Sequence, residues 1–150
     1  MRRLALASLL VLFASSGLAH SATRLPAFRS PSRNISCLLV PGRAVESGRL
    51  LCAIARSLYG GSLQDRCLGP LGGGVDRHGF ELGPFEKGSV SCSGGILYNP
   101  TSERPTYVIL PYGKTWQHGG FVCSSRIAGV TCQNRAGHGL FISRATWRSW

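Results

Sequence analysis

Apolar residues in this chain occur in short runs separated by turn-forming positions. After the first twenty residues these are Ile35–Val40, Leu50–Ile54, Ser89–Cys92, Ile96–Tyr98, Thr106–Leu110, Gly120–Cys123, Gly129–Cys132 and Leu140–Ile142. Most are rich in β-branched, leucine or aromatic residues and lie between Gly, Pro, Asn or Ser positions, a pattern that predicts short strands. Downstream of the N-terminal segment, the longest stretches free of both Gly and Pro are Arg49–Tyr59 and Leu140–Trp150. Because Pro inside a helix costs about 3 kcal/mol, long helices are excluded. Two places stay open to helix. Arg49–Tyr59 carries Leu50, Leu51, Ile54 and Leu58 at helical spacing, and Ser143–Trp147 suits one helical turn capped by Ser143. The glycine-rich Gly69–Gly88 reads as a flexible loop or a linker between two halves of the sheet. The fold class expected is therefore all-β: a small antiparallel sheet assembly, sandwich or partly open barrel, with little helix.

The cysteines sharpen this picture. Five of the six have an apolar residue two positions earlier: Ile35/Cys37, Leu50/Cys52, Val90/Cys92, Phe121/Cys123 and Val130/Cys132. Residues i and i−2 of a strand share a face, so each of these sulfurs is expected on the core side. Cys67, preceded by Asp65, is expected in a loop. Intervals of 14, 14, 24, 30 and 8 residues between the cysteines contain no C-x-x-C, so disulfides are favoured over a metal site. Six cysteines allow fifteen connectivities. Hairpin-like segments favour Cys37–Cys52 and Cys123–Cys132, which leaves Cys67–Cys92 and makes the sequential pattern the preferred one.

Disulfides imply an oxidising compartment, and the N-terminus fits. Met1-Arg2-Arg3 is a positive start, Leu4–Ala14 an apolar core too short to span a bilayer, and Ser15–Ala19 supplies small residues. Residues 1–19 are read as a signal peptide, with cleavage after Ala22 as the alternative. Residues 20–27 are then expected to be a flexible N-terminus and 28–150 a single disulfide-bonded β domain, periplasmic or secreted, with no transmembrane segment.

Charge bears on the partner. The chain has 17 Lys+Arg against 6 Asp+Glu, a formal net charge of +11. Beyond residue 19 there remain 13 Arg and two Lys, dispersed without a run of three. Arg binds phosphate and carboxylate in bidentate fashion. An anionic envelope polymer, a glycan or an acidic protein is the partner class expected; nucleic acid is not expected outside the cytoplasm. An inhibitor of host lysozyme is disfavoured, since that target is itself strongly basic. Trp116, Asn134, His138 and Arg144 are the candidate ligand-binding residues. His138 lies between Gly137 and Gly139, which permit close backbone approach or positive φ.

Enzyme motifs are sparse. There is no G-x-S-x-G elbow, no cofactor motif and no free thiol if every cysteine is paired. The enzymatic alternative is a ribonuclease-like secreted hydrolase, with His118 and His138 as acid and base and Lys114 or Arg144 stabilising phosphate charge. The reading favours a binding or interaction module over an enzyme.

Several motifs together resemble a known domain. Phe28-Arg29-Ser30-Pro31-Ser32-Arg33-Asn34-Ile35-Ser36-Cys37, Tyr112-Gly113-Lys114-Thr115-Trp116 and Gly129-Val130-Thr131-Cys132-Gln133-Asn134, followed by Gly137-His138-Gly139, are similar to a bacterial exported domain family of unknown function. The resemblance runs from Phe28 to the C-terminus, with Leu58–Glu103 matched by its cysteines alone. It implies export and carries no activity. The chain departs from the pattern at Arg33, where Gly is common before Asn34, and at Leu140, where an aromatic is common.

Overall fold

The computed structural model describes residues 24–42, 48–67, 77–92 and 104–150. The expected signal peptide and the expected strand Ile96–Tyr98 lie outside the described residues. Eleven strands and one helix are described: β1 Arg24–Arg29, β2 Ile35–Val40, β3 Arg49–Ile54, α1 Gly60–Cys67, β4 Arg77–Leu82, β5 Ser89–Cys92, β6 Arg104–Ile109, β7 Thr115–His118, β8 Phe121–Arg126, β9 Gly129–Gln133, β10 Gly139–Ile142 and β11 Trp147–Ser149. They form a six-stranded sheet ordered β5-β4-β3-β2-β1-β6 and a five-stranded sheet ordered β11-β10-β9-β8-β7. Each sheet contains an antiparallel meander. β6 alone joins in parallel, running beside β1 from Arg24↔Arg104 to Arg29↔Ile109.

The sheets pack face to face, as a sandwich requires. One core cluster takes Phe28, Cys37, Leu50, Cys52 and Phe80 from the larger sheet and Trp116, Phe121, Cys123, Val130, Leu140 and Ile142 from the smaller, all buried. Alternation does the sorting. In β8 the burial pattern puts Phe121, Cys123 and Ser125 inward and exposes Val122. All six cysteines are paired in the sequential pattern. Cys37 lies directly opposite Cys52 across β2–β3, and Cys123 opposite Cys132 across β8–β9. The two bridges also meet across the core, where the sulfurs of Cys37, Cys52 and Cys132 lie within 4.8 Å of one another.

Several expectations are corrected. The sheet starts at Arg24, inside the stretch 20–27 expected to be flexible, because β1 finds partners on both sides. Its pairing with β2 ends at Ala27↔Leu38, where Pro26 has no N–H to offer. Gly69–Gly88 is not wholly a loop, since β4 and the start of β5's hairpin lie within it. Gly79 there has φ 123° and stands against the Cys52 carbonyl, where a Cβ would collide, so its glycine serves close strand approach and a bulge. Arg49–Tyr59 is strand and then turn, and the helix begins only at Gly60. Cys67 therefore ends a helix instead of lying in a loop. Leu63 and Cys67, four apart on α1, are both buried, and the bridge to Cys92 fastens the helix to the edge strand β5. Cys92 itself is exposed, unlike the four core cysteines. Ser143–Trp147 makes a reverse turn into β11, not a helical turn: Ser143 Oγ accepts from Thr146 N at 3.0 Å, while Ser143 N donates to Thr146 O at 2.9 Å.

Candidate functional site

Counting outward from the paired cysteines locates both ends of the sandwich. At one end lie the β1–β2 loop, the chain leaving β3, the β6–β7 connection, the β8–β9 turn and the β10–β11 turn. Backbone bonds knit them: Ala55 N to Asn34 O (2.8 Å), Leu58 N to Arg144 O (2.9 Å) and Gly113 N to Ser125 O (2.7 Å). Between them opens a cleft of about 320 Å³. Its cations are Arg56, Arg126 and Arg144, its polar groups include Ser30, Ser32, Asn34 and Tyr112, and Ile35 and Val130 give it apolar lining. No carboxylate is among the described residues lining it.

Each arginine is positioned by local structure. Asn34 clasps the Arg56 backbone from both sides, donating from Nδ2 to Arg56 O at 3.0 Å and accepting from Arg56 N at Oδ1 at 2.9 Å. That clasp needs the β1–β2 turn, in which Arg33 takes φ 56°, the left-handed region where Gly is at ease. The turn before Asn34 thus forms with Arg33 at a position where the resembled pattern commonly has Gly. Ser30, buried, accepts from Ile35 N at 3.1 Å and closes the same turn. Arg126 is the last residue of β8 and pairs with Gly129 across a two-residue turn. Arg144 follows Ser143, whose carbonyl accepts the Tyr59 hydroxyl at 2.9 Å. Burial pushes the Tyr59 phenol up to about 12, so it stays neutral and adds no charge beside the arginines.

The sequence-derived site residues divide between the two ends. Arg144 lines the cleft. Asn134 and His138 lie at the opposite end of the sandwich, and Trp116 is in the core. The Trp116 ring is buried against Phe28 at 5.1 Å between centroids, so it is not a displayed platform. Asn134, also buried, uses all its polar capacity within the protein. Its Nδ2 donates to Gly83 O and Glu86 O, both at 2.9 Å, and Oδ1 accepts from Ala136 N and His138 N, both at 3.0 Å. This asparagine ties the β9–β10 turn to the β4–β5 turn and has nothing left for a ligand. Gly137 and Gly139 do what the sequence implied: Gly137 has φ 83°, and Gly139 lies so close to the Trp150 ring that a Cβ would collide.

The hydrolase set is not brought together. His118 and His138 end β7 and precede β10 in the same row, with β8 and β9 between them. Three strand spacings separate their backbones by roughly 14 Å. Lys114 stands four residues from His118 at the other end of β7, about 13 Å along the strand. The His118 ring lies against Trp116 at 4.8 Å between centroids. Arg56 and Arg126, absent from the sequence-derived set, were findable with the bridges as a ruler. They lie four residues beyond Cys52 and three beyond Cys123, toward the same end.

Comparison with known proteins adds a partial family match and no chemistry. The model of a family of unknown function (DUF6636) matches residues 78–148, from β4 into β11. No curated protein and no solved structure matches the chain. Among the described residues no helix is long and apolar enough to cross a membrane.

Proposed function

We propose that the protein is an exported binding module of the cell envelope that takes an anionic partner at the arginine cleft. The observation that carries this reading is the convergence of Arg56, Arg126 and Arg144 on one cleft with no carboxylate among its described lining. Three arginines elsewhere are engaged: Arg49 pairs with Glu81 at 3.5 Å, Arg29 lies 4.2 Å over the Tyr107 ring and Arg148 lies 5.1 Å over the Phe141 ring. Guanidinium groups carried on these turns, with no carboxylate among the described lining residues, offer donors for carboxylate or phosphate oxygens. The disulfides and the signal-like N-terminus support a site outside the cytoplasm.

Titration with poly-glutamate tests this reading. Affinity should fall roughly tenfold or more between about 50 and 200 mM salt, as counterion release predicts. Arg144→Glu should weaken it further without lowering the melting temperature. Binding that ignores both salt and Arg144→Glu would refute an anionic partner at this cleft.

A further inference from the structure

The arginine end also carries exposed apolar side chains, which a cleft for a small soluble anion does not need. Ile127, at the tip of the β8–β9 turn, is 88% exposed, the highest value for a large apolar side chain among the described residues. Leu58, whose N–H bonds the Arg144 carbonyl, is 74% exposed, and Tyr112 is 43% exposed on the cleft wall. An isoleucine at a turn tip in water loses the benefit of burial, and the turn itself needs no apolar residue there. The acidic side chains among the described residues also lie elsewhere. The two acidic side chains described, Glu81 and Glu86, line a hollow with Arg49, Gly83 and Lys87 away from this end.

From this combination we infer that the loop end docks on an anionic lipid surface. The inference rests on the anionic-cleft reading and names its partner. Ile127 and Leu58 enter the boundary between headgroups and acyl chains, Tyr112 takes the interfacial level where aromatic side chains with a polar tip are at home, and Arg56, Arg126 and Arg144 take the lipid phosphates. The two sets belong to one surface: Arg126 and Ile127 are adjacent in the chain, and Arg144 holds Leu58 through its carbonyl. A soluble polyanion or glycan would satisfy the arginines and leave Ile127 in water. A bilayer carrying anionic lipid satisfies both. The five turns that form this end are pinned by backbone bonds, so docking needs no refolding of the sandwich.

Co-sedimentation with vesicles tests the inference on the full exported chain. Binding is expected to phosphatidylcholine vesicles containing phosphatidylglycerol and not to phosphatidylcholine alone. Ile127→Ser should reduce it about tenfold, and each of Arg56→Gln, Arg126→Gln and Arg144→Gln about fivefold. These side chains line an open cleft or are exposed, and melting curves will show whether each variant keeps its fold. Poly-glutamate serves as the soluble arm. If poly-glutamate binds in an arginine-dependent way while vesicles do not, or if Ile127→Ser leaves vesicle binding unchanged, the lipid inference falls and the anionic-cleft reading stands. If neither probe binds, both fall.

Discussion

Replacing Asn134 separates a residue that shapes the fold from one that meets a ligand. Its amide makes four hydrogen bonds to backbone groups of two different turns, and it is 6% exposed. Asn134→Ala removes all four. A net value of about 1 kcal/mol each, lowered because Glu86 and Ala136 lie at the surface where water can reach the freed groups, gives a loss on the order of 3 kcal/mol. For a domain of this size that is a fall in melting temperature of roughly 12 °C. Asn134→Asp keeps both acceptor interactions but sets a carboxylate against the carbonyls of Gly83 and Glu86, which the amide had served as donor. It should therefore be about as damaging at neutral pH. Its deficit should shrink as acid protonates the new carboxyl and restores one donor, a sign opposite to the usual acid destabilisation. Calorimetry at several pH values supplies the numbers, and hydrogen exchange at residues 83–88 and 134–138 supplies the location. A melting temperature within 2 °C or so of the parent for Asn134→Ala would refute the assignment, since even two such bonds are worth more.

Two further outcomes follow from single residues. Arg33→Gly relieves the left-handed backbone at φ 56° but adds chain entropy to the unfolded state, so a net gain of about 0.5 kcal/mol is expected; a lower melting temperature would show that the Arg33 side chain contributes contacts exceeding the strain. The Tyr59 phenol, raised from 10.0 to about 12 by burial, contributes stability that is full below pH 10 and is lost as pH rises through 12. Because the ring is partly exposed the effect is discounted to about 1 kcal/mol, and Tyr59→Phe should flatten that window; an ultraviolet titration finding every tyrosine ionised near pH 10 would contradict it.

What could be read from the sequence followed short-range chemistry. The i−2 apolar neighbours placed four of five sulfurs correctly in the core, Cys92 being exposed, because strand alternation is a property of adjacent residues. Hairpin spacing favoured two bridges and left Cys67–Cys92 as the third. Strand β1 was missed because Pro26 interrupts it and because its main partner, β6, lies about eighty residues away in parallel. Strand β4 was hidden by glycines that read as flexible, although Gly79 is there to let the strand approach Cys52. Helix α1 opens with Gly60 and Gly61, which no propensity scale favours; it is stabilised by burial of Leu63 and the bridge from Cys67. The site was the least legible feature. Arg56, Arg126 and Arg144 come from separate turns and converge only when two meanders pack face to face, whereas Asn134, though in a conspicuous motif, serves Gly83 and Glu86 some fifty residues earlier.

The position of the bridges bears on why such an end can exist. Three guanidinium groups on one cleft repel one another in the folded state, and exposed Ile127 and Leu58 add nothing to the core, so this end works against folding. The opposing contribution lies a few residues away. Cys37–Cys52 and Cys123–Cys132 each close a short loop and on the chain-entropy account are worth about 3 kcal/mol apiece. One bridge lies in each sheet, and the two face each other across the core. They brace the four strands β2, β3, β8 and β9, two of which run directly into Arg56 and Arg126. Reduction should therefore loosen the arginine end along with the core. Binding at the cleft should be lost no later than the tertiary signal as bridges open, and a reduced chain that binds as well as the oxidised one would place the site on a part of the fold that these bridges do not support.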